Sequence, residues 1–357
     1  MALFPVTDYD KFIWDTELKD WLPDNIIDVH THVWLKELKD NYNKEKAGGH
    51  FTVSWPSMVA PDNSIEDLEE TYELMFPGKK VKALMFTSGG ASVANNNYVS
   101  ESSKKSGYPA LYYSHPTESA ADIRRKVIAG GFLGLKCYLS FSPKYIPDDE
   151  IRILDFFPPH QLEVMNEMGG IVMCHIPRST RLKDPMNYEQ LAYIKETWPN
   201  VRLVVAHIGR AYTRGDIGDA FTRLDQCPDM MYDFCANCCE YAITELLKHA
   251  GPKHSMFGTD MPILRMRTRR IEENGTYINL VEKGLYGDVS GDSHMREVSK
   301  EEAEKITFFA YEELLALKRA CQTLGLGKED VEDIMFNNAF NLIDGASKDI
   351  YGKPFVF

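Results

Sequence analysis

The chain has 357 residues, of which 44% are hydrophobic, and its formal net charge at pH 7 is −13. This composition is too apolar for a disordered protein, and the length fits either two ordinary domains or one large α/β barrel. The acidic charge argues against a protein that coats nucleic acid or an anionic membrane, although it is compatible with a local basic pocket.

The N-terminal segment and the cysteines indicate the compartment. The N-terminus has no basic region followed by an apolar run, and no apolar stretch is long enough to cross a membrane. The seven cysteines are an odd number, which favours free thiols over a disulfide framework. We therefore expect a soluble, cytoplasmic protein that binds a small molecule and neither nucleic acid nor membrane, with homo-oligomerisation left open.

Short apolar segments alternate with amphipathic ones along the chain. Eight of them have the composition of parallel strands that are buried on both faces, namely residues 26–34, 81–87, 110–115, 132–139, 170–176, 201–208, 230–235 and 255–260. Helix-like segments lie between them, with a capping box at Ser64 and Asp67 and a glycine cap after residue 129. This order predicts a (β/α)8 TIM barrel. An open doubly wound sheet is the alternative, but no G-x-G-x-x-G follows the first strand.

The predicted organisation is one large domain with additions. We expect an N-terminal extension over residues 1–23, the barrel over 24–345 and a C-terminal tail over 346–357. Two segments without clear periodicity, 35–62 and 261–299, follow strands, so they are predicted to be loop insertions at the C-terminal face, where barrel active sites form. Because loops of this length tend to be functional, we expect at least one of them to shape the pocket.

Metal-binding residue types recur at the ends of the predicted strands. Four histidines and one aspartate fall at the C-terminal ends of four strands, namely His30, His32, His175, His207 and Asp260. Asp28 alternates with the first two histidines, so period-two geometry predicts that all three share one face. Several histidines buried on one side are costly unless they share a ligand, and Zn²⁺ and similar ions prefer imidazole and carboxylate. The pattern predicts a metal site at the barrel mouth.

Basic side chains lie beside these residues. Lys136 ends the fourth predicted strand, where a lysine can neutralise an anionic substrate, be carboxylated and bridge two metals, or extend to solvent. Arg178 and Arg210 each lie three residues after a metal-site histidine. Since arginine forks suit carboxylates, we expect a small anionic substrate such as a carboxylated lactone or acid. For the arginines of 265–270, pairing with loop carboxylates is the favoured alternative. The predicted substrate-binding side chains are Trp34, Lys136, Tyr138, Arg178 and Arg210.

The ordered set His30-Thr31-His32, Lys136, His175, His207 and Asp260 resembles the signature of the amidohydrolase superfamily. The contexts GLKCYL, VVAHIGR and MFGTD are most similar to its amidohydrolase-2 branch of metal-dependent hydrolases and decarboxylases, which are TIM barrels. The C-terminal DVEDIMFNNAFNLI resembles the closing helix of that branch. The likeness runs from about residue 24 to about residue 345 and supports the barrel prediction.

The resemblance also implies roles for individual residues. One divalent metal, zinc with manganese as the alternative, would be held by His30, His32, His175 and Asp260. His207 would hydrogen-bond the attacking water or the substrate, Asp260 would accept a proton, and Lys136 would take part in catalysis. In binuclear relatives the lysine is carboxylated and bridges two metals, so a binuclear site with carboxylated Lys136 is the alternative.

The implied reaction is hydrolysis of a lactone, ester or amide carbonyl by a metal-activated water. Nonoxidative decarboxylation at the same site is the alternative, because protonation of the carbon that bears the carboxylate would replace the attack by water. A metal-holding binding protein without turnover is a third hypothesis.

Overall fold

The computed structural model describes residues 2–45, 58–88, 90–225, 227 and 229–357, with only the backbone over 41–45. Eight parallel strands alternate with helices along this chain, and each coincides with a predicted segment. The strands are β1 Asn25–His32, β2 Lys80–Phe86, β3 Tyr112–Tyr113, β4 Gly134–Lys136, β5 Ile171–Cys174, β6 Arg202–Val205, β7 Met231–Asp233 and β8 Ser255–Met256.

Hydrogen bonds connect these strands into a ring. Strands β1 and β2 pair with each other, and β3 to β8 pair in chain order. Met85 joins β2 to the chain before β3 through bonds of 2.9 Å to Pro109 and 2.8 Å from Leu111, and Val29 donates to the Phe257 carbonyl beside β8 at 3.0 Å. The (β/α)8 TIM barrel is therefore confirmed. Its interior is filled by Ile27, Val29, Leu84, Phe86, Leu111, Leu133, Ile171, Met173, Val204, Ala206 and Met256.

Helices surround the ring of strands and close one of its two ends. They are α1 Asp8–Ile13, α2 Lys36–Glu45, α3 Ile65–Met75, α4 Val93–Ser106, α5 Ala120–Gly130, α6 Ile153–Phe156, α7 Pro159–Met168, α8 Pro185–Thr197, α9 Ala220–Leu224, α10 Glu240–His249, α11 Lys300–Ala303, α12 Phe309–Leu324, α13 Lys328–Glu332 and α14 Asn338–Tyr351. Both predicted caps are confirmed, since the Ser64 side chain accepts a bond from the Asp67 backbone and Gly131 ends α5 with φ 75°. Helix α14 continues across residue 345, where the tail is predicted to begin. In the described part of the chain, no helix combines the length and the apolar character that crossing a bilayer requires.

The 261–299 insertion contains a small sheet. Its strands are β9 Arg269–Glu273, β10 Thr276–Glu282 and β11 Met295–Val298, in the order β11-β10-β9. An Asn274–Gly275 turn with φ of 52° and 74° joins the antiparallel pair β9 and β10, as in tight hairpins. The expectation of an irregular loop was therefore wrong here. In the 35–62 insertion, α2 is described, and residues 46–57 lie outside the described residues.

The N-terminal extension binds the base of the 261–299 insertion. Asp10 of α1 is fully buried and accepts hydrogen bonds from Arg267 Nη1 at 3.0 Å and Thr307 Oγ1 at 2.7 Å. Burial alone would raise the pKa of Asp10, but the bonds from Arg267 and Thr307 lower it below its ordinary value. The ionised carboxylate thus holds the extension and the insertion together.

Asp10→Asn is expected to lower the free energy of unfolding at pH 7 by about 2 kcal/mol, since the variant loses charge-assisted bonds. Because folding lowers this pKa, the carboxylate stabilises the fold fully above its ordinary value of 3.8, and the contribution is lost as the pH falls through the folded pKa. The difference in free energy of unfolding between Asp10→Asn and the wild type, measured by urea unfolding, should therefore be smaller at pH 3 than at pH 7. Asp8→Asn, at a fully exposed side chain, is the control, and an equal Asp10→Asn difference at both pH values would contradict the prediction.

Candidate active site

A β-bulge divides the side chains of β1 between two layers. The pairing of β1 with β2 shifts register between Asp28 and Thr31. Asp28 accepts a 2.7 Å hydrogen bond from Tyr72 of α3, so it faces the helix layer, whereas the rings of His30 and His32 lie 5.1 and 4.7 Å from Phe86 in the interior. The prediction that Asp28 shares their face was wrong, because strict alternation fails at a bulge.

The barrel mouth brings all five predicted metal-site side chains together. The His30 ring centroid lies 5.2 Å from that of His175 and 4.8 Å from that of His207. His32 Nε2 donates to Asp260 Oδ1 at 2.9 Å, and His30 Nε2 lies 3.9 Å from the same oxygen. Side chains from the ends of four strands thus converge, as the sequence predicts.

His30 is oriented by a residue that the sequence reasoning missed. Its Nδ1 donates to Asp233 Oδ2 at 3.0 Å, and its Nε2 is buried without a hydrogen-bond partner among the described residues. Asp233, at the end of β7, also accepts the His207 backbone N–H at 2.7 Å. Burial raises the pKa of Asp233, but the charge and the hydrogen bond of His30 bring it down to about 2. A metal-binding histidine usually donates one ring N–H to a carboxylate and keeps its other ring nitrogen for the metal.

His175 and His207 form one hydrogen-bonded chain with Lys136. His207 Nδ1 lies 2.9 Å from the Cys235 carbonyl and is assigned as the donor, which leaves Nε2 as an acceptor 2.8 Å from His175 Nε2. The buried Lys136 amine contacts the other nitrogen of His175, Nδ1. Burial lowers the pKa of His207 to about 4, so its ring is neutral at pH 7 and its Nε2 keeps a lone pair that can accept a hydrogen bond.

Left-handed backbone supports the site. His207, Ile208 and Arg210 have φ of 57°, 52° and 59°, and Asp260 has φ 51°. Such residues cost about 1–2 kcal/mol each, and strained backbone of this kind is concentrated at functional sites. The two segments that carry His207 and Asp260 therefore have the backbone expected of an active site.

Two predicted substrate-binding residues lie beside the histidines. The Tyr138 ring stands edge-on to His175 with the centroids 5.1 Å apart. Arg210 donates to the Pro177 carbonyl at 3.2 Å and is near enough to influence the pKa of Tyr138. Among the ion pairs of the described residues, none includes Arg210. This cation is therefore available to an anion at the mouth.

Two other predicted substrate-binding residues contact the surrounding loops. Arg178 donates to the carbonyls of Glu150 and Ile151 at 3.3 Å. Trp34 is fully buried and donates to the Pro61 carbonyl at 2.9 Å. Their role in substrate binding stays a prediction.

The arginines of 265–270 differ in their partners. Arg267 pairs with Asp10, and Arg269 lies 3.6 Å from Glu312, as the loop-pairing alternative expects. Arg270 donates instead to a backbone carbonyl and a side-chain amide. The group therefore contains both neutralised cations and two, Arg265 and Arg270, whose hydrogen-bond acceptors are uncharged.

The fold is shared with several solved enzymes. A 2-pyrone-4,6-dicarboxylic acid hydrolase candidate from Pseudomonas putida is 15% identical with a TM-score of 0.52, and the match covers 91% of this chain and 99% of that one. A zinc-bound amidohydrolase from Burkholderia multivorans is 12% identical with a TM-score of 0.54, covering 89% and 98%. A 5-carboxyvanillate decarboxylase from Novosphingobium aromaticivorans, with manganese and a nitrobenzoic acid, is 12% identical with a TM-score of 0.54, covering 90% and 96%.

A family model identifies the group to which the chain belongs. No curated protein sequence matches the chain. The amidohydrolase-2 family model, described as Amidohydrolase, matches residues 27–277, which include nearly all of the barrel strands and all five predicted metal-site residues. The chain is a member of the amidohydrolase family, in its amidohydrolase-2 branch.

Proposed function

We propose that the protein is a metal-dependent hydrolase that acts on a lactone, ester or amide carbonyl of a small anionic substrate. The buried, unpartnered Nε2 of His30 carries this proposal, because a nitrogen in that environment is costly unless it binds a ligand. His32 and Asp260 offer ligand atoms beside it. The proposed metal ligands are His30, His32, His175 and Asp260, and zinc or manganese suits this donor set.

A divalent metal bound there would lower the pKa of a water molecule and polarise a carbonyl group. Asp260, whose carboxylate lies against His30 and His32, is placed to accept the water's proton. His207 would accept a hydrogen bond from the water or from a substrate hydroxyl group through Nε2, since its Nδ1 donates to the Cys235 carbonyl. These residues would move the proton toward the leaving group.

The contact between Lys136 and His175 favours one metal in this proposal. The amine lies against His175 Nδ1, where it can fix the ring as an outer hydrogen-bond partner. In that role the lysine stays an amine and serves catalysis by positioning His175 and by adding positive charge for an anionic substrate. Two metals per chain would instead favour carboxylated Lys136 as a bridge.

Metal removal and substrate charge test the proposal together. Chelator treatment should abolish turnover of carboxylated lactones, esters or amides, and one equivalent of zinc or manganese should restore it, with elemental analysis giving one metal per chain. A lactone with a carboxylate should be preferred to its neutral methyl ester, since Arg210 offers an unpaired cation. Full activity without metal, or a preference for the neutral compound, would contradict the proposal.

Decarboxylation is the second candidate, because the same cations can hold a carboxylate beside groups that carry protons. Asp260 or His207 would then take up a proton from water and deliver it to the carbon that loses CO₂. Product analysis separates the two reactions. Incorporation of ¹⁸O from labelled water into a new carboxylate supports hydrolysis, whereas released CO₂ without labelling supports decarboxylation.

A further inference from the structure

The inserted sheet brings a second cation to the barrel mouth. Arg270, the second residue of β9, has its guanidinium carbon 5.1 Å from the ring centroid of Tyr212 and 4.4 Å from that of Tyr277. The Tyr212 ring in turn lies 6.2 Å from the ring of His207. The Tyr212 ring therefore lies close to both this guanidinium and a histidine of the candidate site.

The guanidinium is held in a fixed plane by uncharged groups. Nη1 donates to the Ala236 carbonyl at 2.5 Å, Nε donates to Asn279 Oδ1 at 2.9 Å, and the group also lies 4.5 Å from the Phe309 ring. Nη2 makes no hydrogen bond with a described residue, and the Arg270 side chain is only partly buried. The result is an oriented donor with its positive charge intact.

The two arginines nearest to Arg270 have carboxylate partners. Arg181 lies over the same two tyrosine rings, at 5.3 and 5.2 Å, but its charge is paired with Asp216 at 2.6 Å. Arg269, one residue earlier on β9, lies 3.6 Å from Glu312. Arg270 has no ion pair with any residue that the structure describes. A half-buried cation without a carboxylate gains most from an anionic ligand.

We propose that Arg270 is a specificity-determining residue that binds a carboxylate of the substrate at the mouth, beside Tyr212. The proposal rests on the proposed function and extends it. The 261–299 insertion thereby selects the substrate, since it supplies this cation and the Tyr277 wall. A carboxylate here would accept a charge-assisted bond from Nη2, whose position is fixed because Nε and Nη1 are held by Asn279 and Ala236.

Ligand affinity tests this role without turnover. Isophthalate and 3-nitrobenzoate have nearly the same shape, but only the first carries a second carboxylate. In calorimetric titrations of the zinc-loaded full chain, we expect isophthalate to bind at least about tenfold more tightly, as for a charge-assisted hydrogen bond. Arg270→Met keeps an apolar chain over the rings and should reduce the ratio to less than about threefold.

Arg269→Met is the matched control, because it removes an arginine from the same strand and should leave the tenfold ratio unchanged. Arg270→Lys keeps the charge without the planar fork and should give an intermediate ratio. If Arg270→Met does not fold cooperatively, Arg270→Lys takes its place as the test. A wild-type ratio near one, or an unchanged ratio in the Arg270 variants, overturns the proposal. Chelator-sensitive turnover is measured separately, so either proposal can fail while the other stands.

Discussion

Replacing His30 with alanine is expected to abolish metal retention and turnover together. The His30 Nε2 is buried and has no partner among the described residues, so in the proposed site its removal would delete a metal-ligand atom. Loss of an outer partner of a ligand histidine costs about 10–100-fold in metal affinity, and loss of the ligand itself should cost more than about 100-fold. Elemental analysis after gel filtration, with kcat/KM on a carboxylated lactone or ester, measures both effects.

A matched substitution and a graded one sharpen this test. His160 is exposed and contacts the Glu118 carbonyl at 2.8 Å, so His160→Gln should retain metal and activity. Asp233→Asn keeps His30 but weakens the group that orients it, so metal affinity should fall by about 10–100-fold and activity should return at saturating metal. Retention of metal and activity by His30→Ala would rule out the proposed metal site.

The barrel could be predicted from the sequence because parallel strands buried on both faces are short apolar runs. The features of the fold that were not predicted have local causes. The bulge after Asp28 is invisible in an apolar run, although it decides which side chains face the interior. Helix α4, Val93–Ser106, was not predicted, because its asparagines, serines and lysines show no apolar period. The β9–β10 hairpin did carry a signal, the Asn274–Gly275 pair, which the interpretation overlooked.

The part of the candidate site that consists of histidines at strand ends could be predicted from the sequence. Histidines at the C-terminal ends of parallel strands must meet at one mouth, so their convergence follows from topology. Asp233 could not be found in this way, because its partner His30 lies 203 residues away in the sequence and a single aspartate in MMYDFC has no distinctive context. The distinction between the paired Arg269 and the unpaired Arg270 likewise depends on tertiary contacts.

Contacts between distant segments explain why the additions to the barrel matter to the site. Asn63, in the chain before α3, donates to the His32 carbonyl at 2.5 Å and accepts from Arg265 Nη1 at 3.4 Å. The N-terminal extension holds the next turn of the insertion through Asp10 and Arg267. The backbone of His32 is thus connected through Asn63 to Arg265 near the start of the 261–299 insertion. Because Asp10 also binds Arg267, the start of the insertion that carries Arg270 is held at two points.

Asp260→Asn is expected to separate catalysis from metal binding. The amide has nearly the shape of the carboxylate, so three histidines and the amide oxygen should still hold a metal at saturating concentration, but the proton acceptor is lost. We therefore expect kcat to fall by about 10²–10⁴-fold, with KM changed only a few-fold. Asp219→Asn, which affects only an exposed pair with Arg223, is the control and should match the wild type. A kcat within about tenfold of the wild type, in a variant shown to contain metal, would remove Asp260 as the proton acceptor, because loss of a general base costs more than that.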